Sequence, residues 1–158
     1  MGIVYFIVCV LAIALMWLAV FNPTDHWFLK RIDVNDTAAV GRAEKRVWGM
    51  IQRHGNDTFI VRETRNGMTL RFYPAGFNYE SRFEGLSCLE IYDHRCDAVL
   101  TFAMKNERPI YQLRYLHSQE AVDKIAVRIH QPIPNSLSAE ENVKILELYR
   151  NYLIQAII

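Results

Sequence analysis

The chain has 158 residues, of which 51% are apolar and 22% charged, and its 18 basic and 17 acidic side chains leave a formal net charge of +1. This near balance argues against a general nucleic-acid binder, which would carry a clear basic excess. The length allows one domain with its own core, and the sequence has no repeats or low-complexity tracts that would indicate a solenoid or a disordered chain.

The first segment is the most apolar part of the chain, since residues 2–21 contain no charged side chain. Twenty apolar residues in a helix rise about 30 Å, which matches the hydrocarbon thickness of a bilayer. The sequence therefore predicts a single-pass transmembrane anchor over residues 1–22, with membrane lipid around residues 2–21. No basic residue precedes the run and bulky residues follow it, which favours a retained signal-anchor over a cleaved signal peptide. Basic residues follow only on the C-terminal flank, beginning with Lys30 and Arg31, so the domain behind the anchor is predicted to be cytoplasmic.

A juxtamembrane linker over residues 23–36 is predicted to lead into a small α+β domain over residues 37–158. Asp36 is suited to cap a helix from about residue 37 to 54, which Gly55 would end. Apolar residues recur there at helical spacing, so one face of this helix is expected to pack on the core.

Alternating apolar residues then predict about five strands. Their approximate ranges are 58–64, 68–73, 86–92, 98–104 and 110–116. Between the first two, Asn66-Gly67 is a strong hairpin signal, and a two-residue turn there would place Arg62 opposite Arg71. Short connectors join the successive strands, which indicates an antiparallel meander.

Two helices are predicted to close the chain. Ser118 is suited to cap the first, which would run to about residue 130, and Ser138 with Glu141 forms a capping box for the second, which would run to about residue 156. The apolar residues of the last helix exceed one stripe, which indicates either deep burial or a second face that meets a partner. Helices and an antiparallel sheet in this order give the α+β class.

Three arginines of the predicted sheet form a basic stripe. Arg62 and Arg71 would face each other on the first hairpin, and Arg114 falls among the outward residues of the last strand. Such a surface suits an acidic protein partner, anionic headgroups or a phosphate ligand. The alternative is an ordinary solvated face that nearby glutamates such as Glu63 or Glu90 neutralise.

The loop after the second strand is a further candidate binding element, with Phe77, Tyr79, Arg82 and Phe83. Aromatic and arginine side chains recur in recognition surfaces, so these four residues are predicted to bind a partner. The alternative is that the aromatic rings close the core of the domain.

The densest polar cluster lies between the third and fourth predicted strands and includes His94 and Cys96. A histidine that activates a cysteine would make a nucleophile, but a tight turn splays neighbouring side chains apart, so a structural turn is favoured. A second ligand pair with metal spacing is missing nearby, so neither a metal nor another cofactor is predicted. Whether Cys88 and Cys96 pair depends on the redox compartment, which the sequence does not reveal.

The sequence therefore favours a membrane-anchored binding or accessory protein that acts through protein–protein interaction over an enzyme. A regulatory subunit of a membrane complex and an immunity-type binder both fit this hypothesis. The alternatives are a membrane-tethered enzyme that uses His94 and Cys96, and a domain that senses a small anion. A protein partner is expected and a nucleic acid is not, and homo-oligomerisation stays open.

Overall fold

The structure is a computed structural model that describes residues 1–20, 32–54, 60–63, 67–75, 81–133, 135 and 137–158. For residues 17–20, 60–63 and 81, it describes the backbone without the side chain. The chain separates into two compact units, Met1–Arg31 and Ile32–Ile158.

The first unit contains helix α1, Gly2–Val20, whose large apolar side chains between Ile3 and Met16 are exposed. In the part of the chain that the structure describes, no helix combines the length and apolar character needed to cross a bilayer. This finding contradicts the predicted single-pass anchor over residues 1–22, and with it the membrane localisation and the cytoplasmic placement of the domain.

Within the described residues, the second unit contains three α-helices: α2 (Thr37–His54), α3 (Gln119–Arg128) and α4 (Ala139–Ala156). The predicted caps are confirmed. The Asp36 carboxylate accepts the Ala39 N–H at 3.0 Å, and the Ser118 hydroxyl accepts the Ala121 N–H at 3.2 Å. The capping box of Ser138 and Glu141 is also present. Each cap satisfies a backbone donor that the first turn of a helix leaves unpaired, so these helix starts are fixed by local chemistry.

In the part of the chain that the structure describes, five strands follow α2 in the order of the sequence. They are β1 (Ile60–Glu63), β2 (Met68–Tyr73), β3 (Cys88–Asp93), β4 (Ala98–Lys105) and β5 (Arg108–Arg114). Each strand pairs antiparallel with the next, in the sheet order β1-β2-β3-β4-β5, and the four strands β2 to β5 are described with their side chains. The α+β class with an antiparallel sheet is therefore confirmed.

The register of the first hairpin differs from the prediction by one residue. Val61 pairs with Arg71 and Arg62 pairs with Leu70, so Arg62 does not lie opposite Arg71. The predicted two-residue turn would have paired Arg62 with Arg71, and the observed pairing is shifted by one residue from it. In any strand, a shift of one residue in the pairing moves each side chain to the opposite face of the sheet. The prediction that two like charges face each other across this hairpin is therefore wrong.

One face of the sheet, the inner face, forms the core together with the three helices. Its members come from alternate positions of β2 to β5: Leu70, Phe72, Leu89, Ile91, Leu100, Phe102, Tyr111 and Leu113. Helix α2 adds Val40, Ala43, Val47 and Ile51 at the predicted helical spacing. Helix α4 buries most of its apolar residues in the same core, so deep burial explains its wide apolar surface.

The turn between β4 and β5 holds residues in an unusual backbone conformation. Lys105 pairs with Arg108, and the two residues between them, Asn106 and Glu107, have φ values of 51° and 63°. Both positions of such a two-residue turn need positive φ, which asparagine tolerates and glutamate does not favour.

Replacing Glu107 by glycine is therefore expected to raise the free energy of unfolding by about 0.5–1 kcal/mol, because glycine adopts positive φ without steric strain. Chemical denaturation of the full chain measures the change. Glu107→Ala is the matched control, since it removes the same side chain and keeps the strain. A glycine variant that is no more stable than the alanine variant would show that Glu107 is unstrained.

Candidate binding site on the outer face of the sheet

The face of the sheet opposite the core divides into a covered apolar part and a polar part. In the polar part, Arg71, Tyr92 and Arg114 reach solvent. Three polar residues of the same part, Thr69, Glu90 and Thr101, are buried. In the covered part, Tyr73, Cys88, Ala103 and Ile110 form one row across four strands. The ring of Phe83, from the short 3-10 helix Ser81–Phe83, is fully buried in the cluster that these side chains form. The segment around Phe83 therefore closes this part of the face.

The remaining two rows make up what we call the open face. Its residues are Thr69, Arg71, Glu90, Tyr92, Val99, Thr101, Gln112 and Arg114. Because side chains alternate between the faces of a strand, these residues share one side of the sheet although they come from four strands.

Glu90 lies at the centre of the open face and brings two arginines together. Arg71 Nη1 donates to Glu90 Oε1 at 3.4 Å, and Arg114 Nη2 donates to Glu90 Oε2 at 3.3 Å. The Glu90 side chain is only 7% exposed, whereas the Arg71 and Arg114 side chains are 42% and 47% exposed. The structure thus presents two half-exposed arginine side chains around one buried carboxylate.

A polar edge borders the open face at the turn between β3 and β4. His94 Nε2 lies 2.6 Å from Thr69 Oγ1, and the His94 ring meets the Tyr92 ring edge-on with 4.4 Å between centroids. The Tyr92 hydroxyl donates to Asp97 Oδ1 at 2.6 Å, and this hydrogen bond raises the pKa of Tyr92. Tyr92 therefore keeps its proton and stays neutral beside the arginines.

The other side of the same turn is buried in the core. Asp93 is fully buried and accepts hydrogen bonds at Oδ2 from Arg128 Nε at 3.1 Å and from the Tyr149 hydroxyl at 3.0 Å. Burial and the Asp93 charge raise the pKa of Tyr149. Because Arg128 belongs to α3 and Tyr149 to α4, one carboxylate ties both helices to the end of β3.

Cys96 belongs to this buried side, and His94 belongs to the open side. The Cys96 thiol contacts the Lys124 carbonyl oxygen of α3 at 3.9 Å, and burial raises its pKa to about 11. The turn thus separates the two side chains, so they do not form a nucleophile–base pair, and the thiol stays protonated near neutral pH.

The two cysteines of the domain, Cys88 and Cys96, do not form a disulfide. Cys88 lies on the covered part of the outer face and Cys96 on the inner side, and both thiols are free and buried. Burial raises the pKa of Cys88 to about 12. Within the described residues, no group of three or more histidine, cysteine, aspartate or glutamate side chains could hold a metal ion.

The structure joins two of the predicted binding residues and separates others. Arg71 and Arg114 meet on Glu90, whereas the backbone of Arg62 pairs with Leu70 in a row of the inner face, and its side chain is outside the described residues. Two further predicted binding residues, Phe77 and Tyr79, also lie outside the described residues.

The last two predicted residues, Arg82 and Phe83, lie in different environments. Arg82 is exposed, while the Phe83 ring is fully buried, which agrees with the alternative that the aromatic rings of this loop close the core. The structure also places Tyr92 on the open face, which the sequence analysis did not single out. The alternation of Cys88, Glu90 and Tyr92 along β3 indicates that Tyr92 shares a face with Glu90, but only the register shows which residues of β2 lie beside it.

Comparisons of this chain with protein-family models, with curated proteins and with solved structures find no match. The function is therefore inferred from the residues of the open face.

Proposed function

We propose that the domain is a binding protein that acts through protein–protein interaction and that the open face is its contact surface. The observation that carries this proposal is the pair of half-exposed arginines, Arg71 and Arg114, held on the buried carboxylate of Glu90. Arginine and tyrosine are enriched among the residues that dominate binding energies, and the open face places Tyr92 beside the two arginines.

The rigidity of this arrangement favours binding. The side chains project from paired strands, and Glu90 restricts both guanidinium groups before a partner arrives. Immobilising a flexible side chain on binding costs about 0.5–1.5 kcal/mol, so arginines that are already restrained lose less of the binding energy.

The chemistry of the neighbouring groups supports binding rather than catalysis. The sequence analysis considered Cys96 as a nucleophile. In the structure it lies on the opposite side of the turn from His94, and burial raises the pKa of its thiol. The groups of the open face are suited to hydrogen bonds and ion pairs with a partner.

Reversing both charges with Arg71→Glu and Arg114→Glu is expected to weaken partner binding by at least about tenfold, because truncating or reversing desolvated charges at an interface costs several kcal/mol. The measurement compares the proteins that co-purify with the wild-type chain and with the double variant, at equal expression level. Lys45→Glu is the matched control, since Lys45 is an exposed base on α2, away from the sheet surface.

The wild-type chain and the Lys45 variant should retain a common partner that the double variant loses. Denaturation curves must show that the double variant is folded. A folded double variant that keeps every partner of the wild type would exclude the open face as the contact surface.

A further inference from the structure

The solvent side of helix α2 carries a row of basic residues. Arg42, Arg46 and Arg53 are exposed. Together with Gly49 they recur at spacings of four, three and four residues, so they line one side of the helix, and we call these four residues the basic row. Among the described residues, none of the three arginines forms an ion pair with a carboxylate. Lys45 lies about 70° around the helix from this row, at about 100° per residue, and is not a member of it.

The solvent side of helix α4 carries a row of mostly acidic residues at the same spacing. Glu140, Lys144 and Glu147 are exposed and lie four and three residues apart, so they also share one side of their helix. We call these three residues the acidic row. In the part of the chain that the structure describes, their side chains form no ion pair either. Two helices thus expose rows of opposite charge.

The arrangement of the two helices allows the rows of two copies to match. Near the end of α4, Asn151 Nδ2 donates to the Val34 carbonyl oxygen at 3.1 Å. Gln155 Nε2 donates to the Asp33 carbonyl oxygen at 3.2 Å. The start of α2 therefore lies beside the end of α4, and both helices pack on the inner face of the sheet. A two-fold axis along this helix layer places α4 of one copy over α2 of another, with the two helices running in opposite directions.

We propose that this helix surface binds a second copy of the chain, with the basic row of each copy against the acidic row of the other. The equal spacing of the two rows brings Arg46 to the partner's Glu147 when the helices are antiparallel. The same register brings Arg53 to the partner's Glu140. Two-fold symmetry repeats both contacts, so the dimer contains four such pairs.

The position between these two contacts lacks a side chain in the basic row. There the partner's Lys144 faces Gly49, so no like charge opposes the lysine. A Cβ atom at Gly49 would meet nothing within 4 Å, which shows that the helix surface is open at this point. The rows therefore match at three successive positions, with opposite charges at the outer two and a lysine against a glycine between them.

Charge complementarity favours a copy of this chain over an unrelated acidic partner, because a copy matches both rows and an acidic partner would leave the acidic row unmatched. Val143 lies between Glu140 and Glu147 on the surface of α4 and is 58% exposed, so dimerisation also covers an apolar side chain. Exposed ion pairs are individually weak and are screened by salt, so we expect a weak, salt-sensitive dimer. The open face lies on the other side of the sheet, so the dimer does not depend on the proposed function.

Sedimentation equilibrium of the full chain measures the dimer. Arg46→Glu and Glu147→Arg should each raise the dimer Kd by at least about tenfold, because symmetry turns two attractive contacts into two repulsive ones. An equimolar mixture of the two variants should dimerise with a Kd within about threefold of the wild type, because each position 46 then faces the opposite charge at position 147 of the other chain. Neither misfolding nor the loss of a different partner would give this recovery.

Gly49→Lys separates the contact from the stability of the helix. Lysine is a better helix former than glycine and has space at this position, so this variant should unfold at a higher temperature than the wild type. It also places a base opposite the partner's Lys144, so its dimer Kd should rise by at least about threefold. Arg82→Glu is the matched control for charge reversal and should dimerise as the wild type does, because Arg82 is exposed on the segment that covers the outer face.

Three results would overturn the proposed dimer. The first is a wild-type chain that stays monomeric, with a Kd above about 1 mM. The second is a dimer that neither charge reversal weakens, or one that is as tight at about 1 M salt, where the Debye length is about 3 Å, as at low salt. The third is a mixture of the two charge variants that stays as dissociated as each variant alone.

Discussion

Replacing Asp93 by alanine is expected to lower the free energy of unfolding by about 3–5 kcal/mol, the typical cost of removing one partner from a buried ion pair. Asp93 is fully buried, and the Arg128 side chain that it binds is only 7% exposed. Without the carboxylate, Arg128 keeps its charge in the protein interior, and the Tyr149 hydroxyl loses its acceptor. Both losses act on the contact of α3 and α4 with the sheet.

A salt bridge on the outside of the same helix provides the comparison. Lys124 and Glu120 on α3 approach to 3.1 Å, but their side chains are 59% and 79% exposed. Exposed pairs contribute about 0–1 kcal/mol because water screens the charges. Glu120→Ala should therefore change the unfolding free energy by less than about 1 kcal/mol.

Chemical denaturation of the full chain, followed by circular dichroism, measures both variants. A third variant, Asp93→Leu with Arg128→Met, removes both charges and should recover much of the lost stability, as happens when a buried pair is replaced by apolar side chains. Equal losses for Asp93→Ala and Glu120→Ala would contradict the assignment of Asp93 as the buried link between the helices and the sheet.

Replacing Phe83 by alanine is the second change with a large expected effect, and it should destabilise the domain by about 3–5 kcal/mol. The ring is fully buried against the covered part of the outer face, with Tyr73, Cys88 and Ala103 around it. Its removal leaves a cavity and exposes the end of the sheet beside the open face.

The neighbouring residue makes the matched control, because Arg82 is exposed. Arg82→Ala should change the unfolding free energy by less than about 0.5 kcal/mol, as expected of a surface substitution. Thermal and chemical denaturation of both variants test the pair. If Phe83→Ala is as stable as Arg82→Ala, the ring does not contribute to the core, and its place in a recognition surface would have to be considered again.

The domain contains two kinds of ion pair, which differ in how far their side chains are exposed to solvent. The pair of Asp93 and Arg128 is closed to solvent and holds α3 and α4 on the inner side of the sheet. The contacts of Glu90 with Arg71 and Arg114 leave about half of each arginine exposed on the outer side. Burial thus assigns the first pair to stability, whereas the second group of contacts keeps two half-exposed arginines on the surface that we propose contacts a partner.

The sequence alone determined the helices of the domain, their caps and the antiparallel sheet. These features depend on neighbours within a few residues: Ser138 and Glu141 satisfy each other's backbone N–H groups, and the apolar positions of α2 repeat at helical spacing. Short connectors between strands leave little choice other than antiparallel pairing, so the sheet order follows from local signals.

Only the tertiary structure decided which side chains share a surface. A shift of one residue in the first hairpin removed Arg62 from the row of Arg71, and the pairing of four strands placed Arg71 and Arg114 on either side of Glu90. The same long-range pairing buried Phe83, and the turn after β3 put Cys96 and His94 on opposite sides of the sheet. The physical reason is that register and burial come from contacts between residues far apart in the chain, and a local pattern cannot specify them.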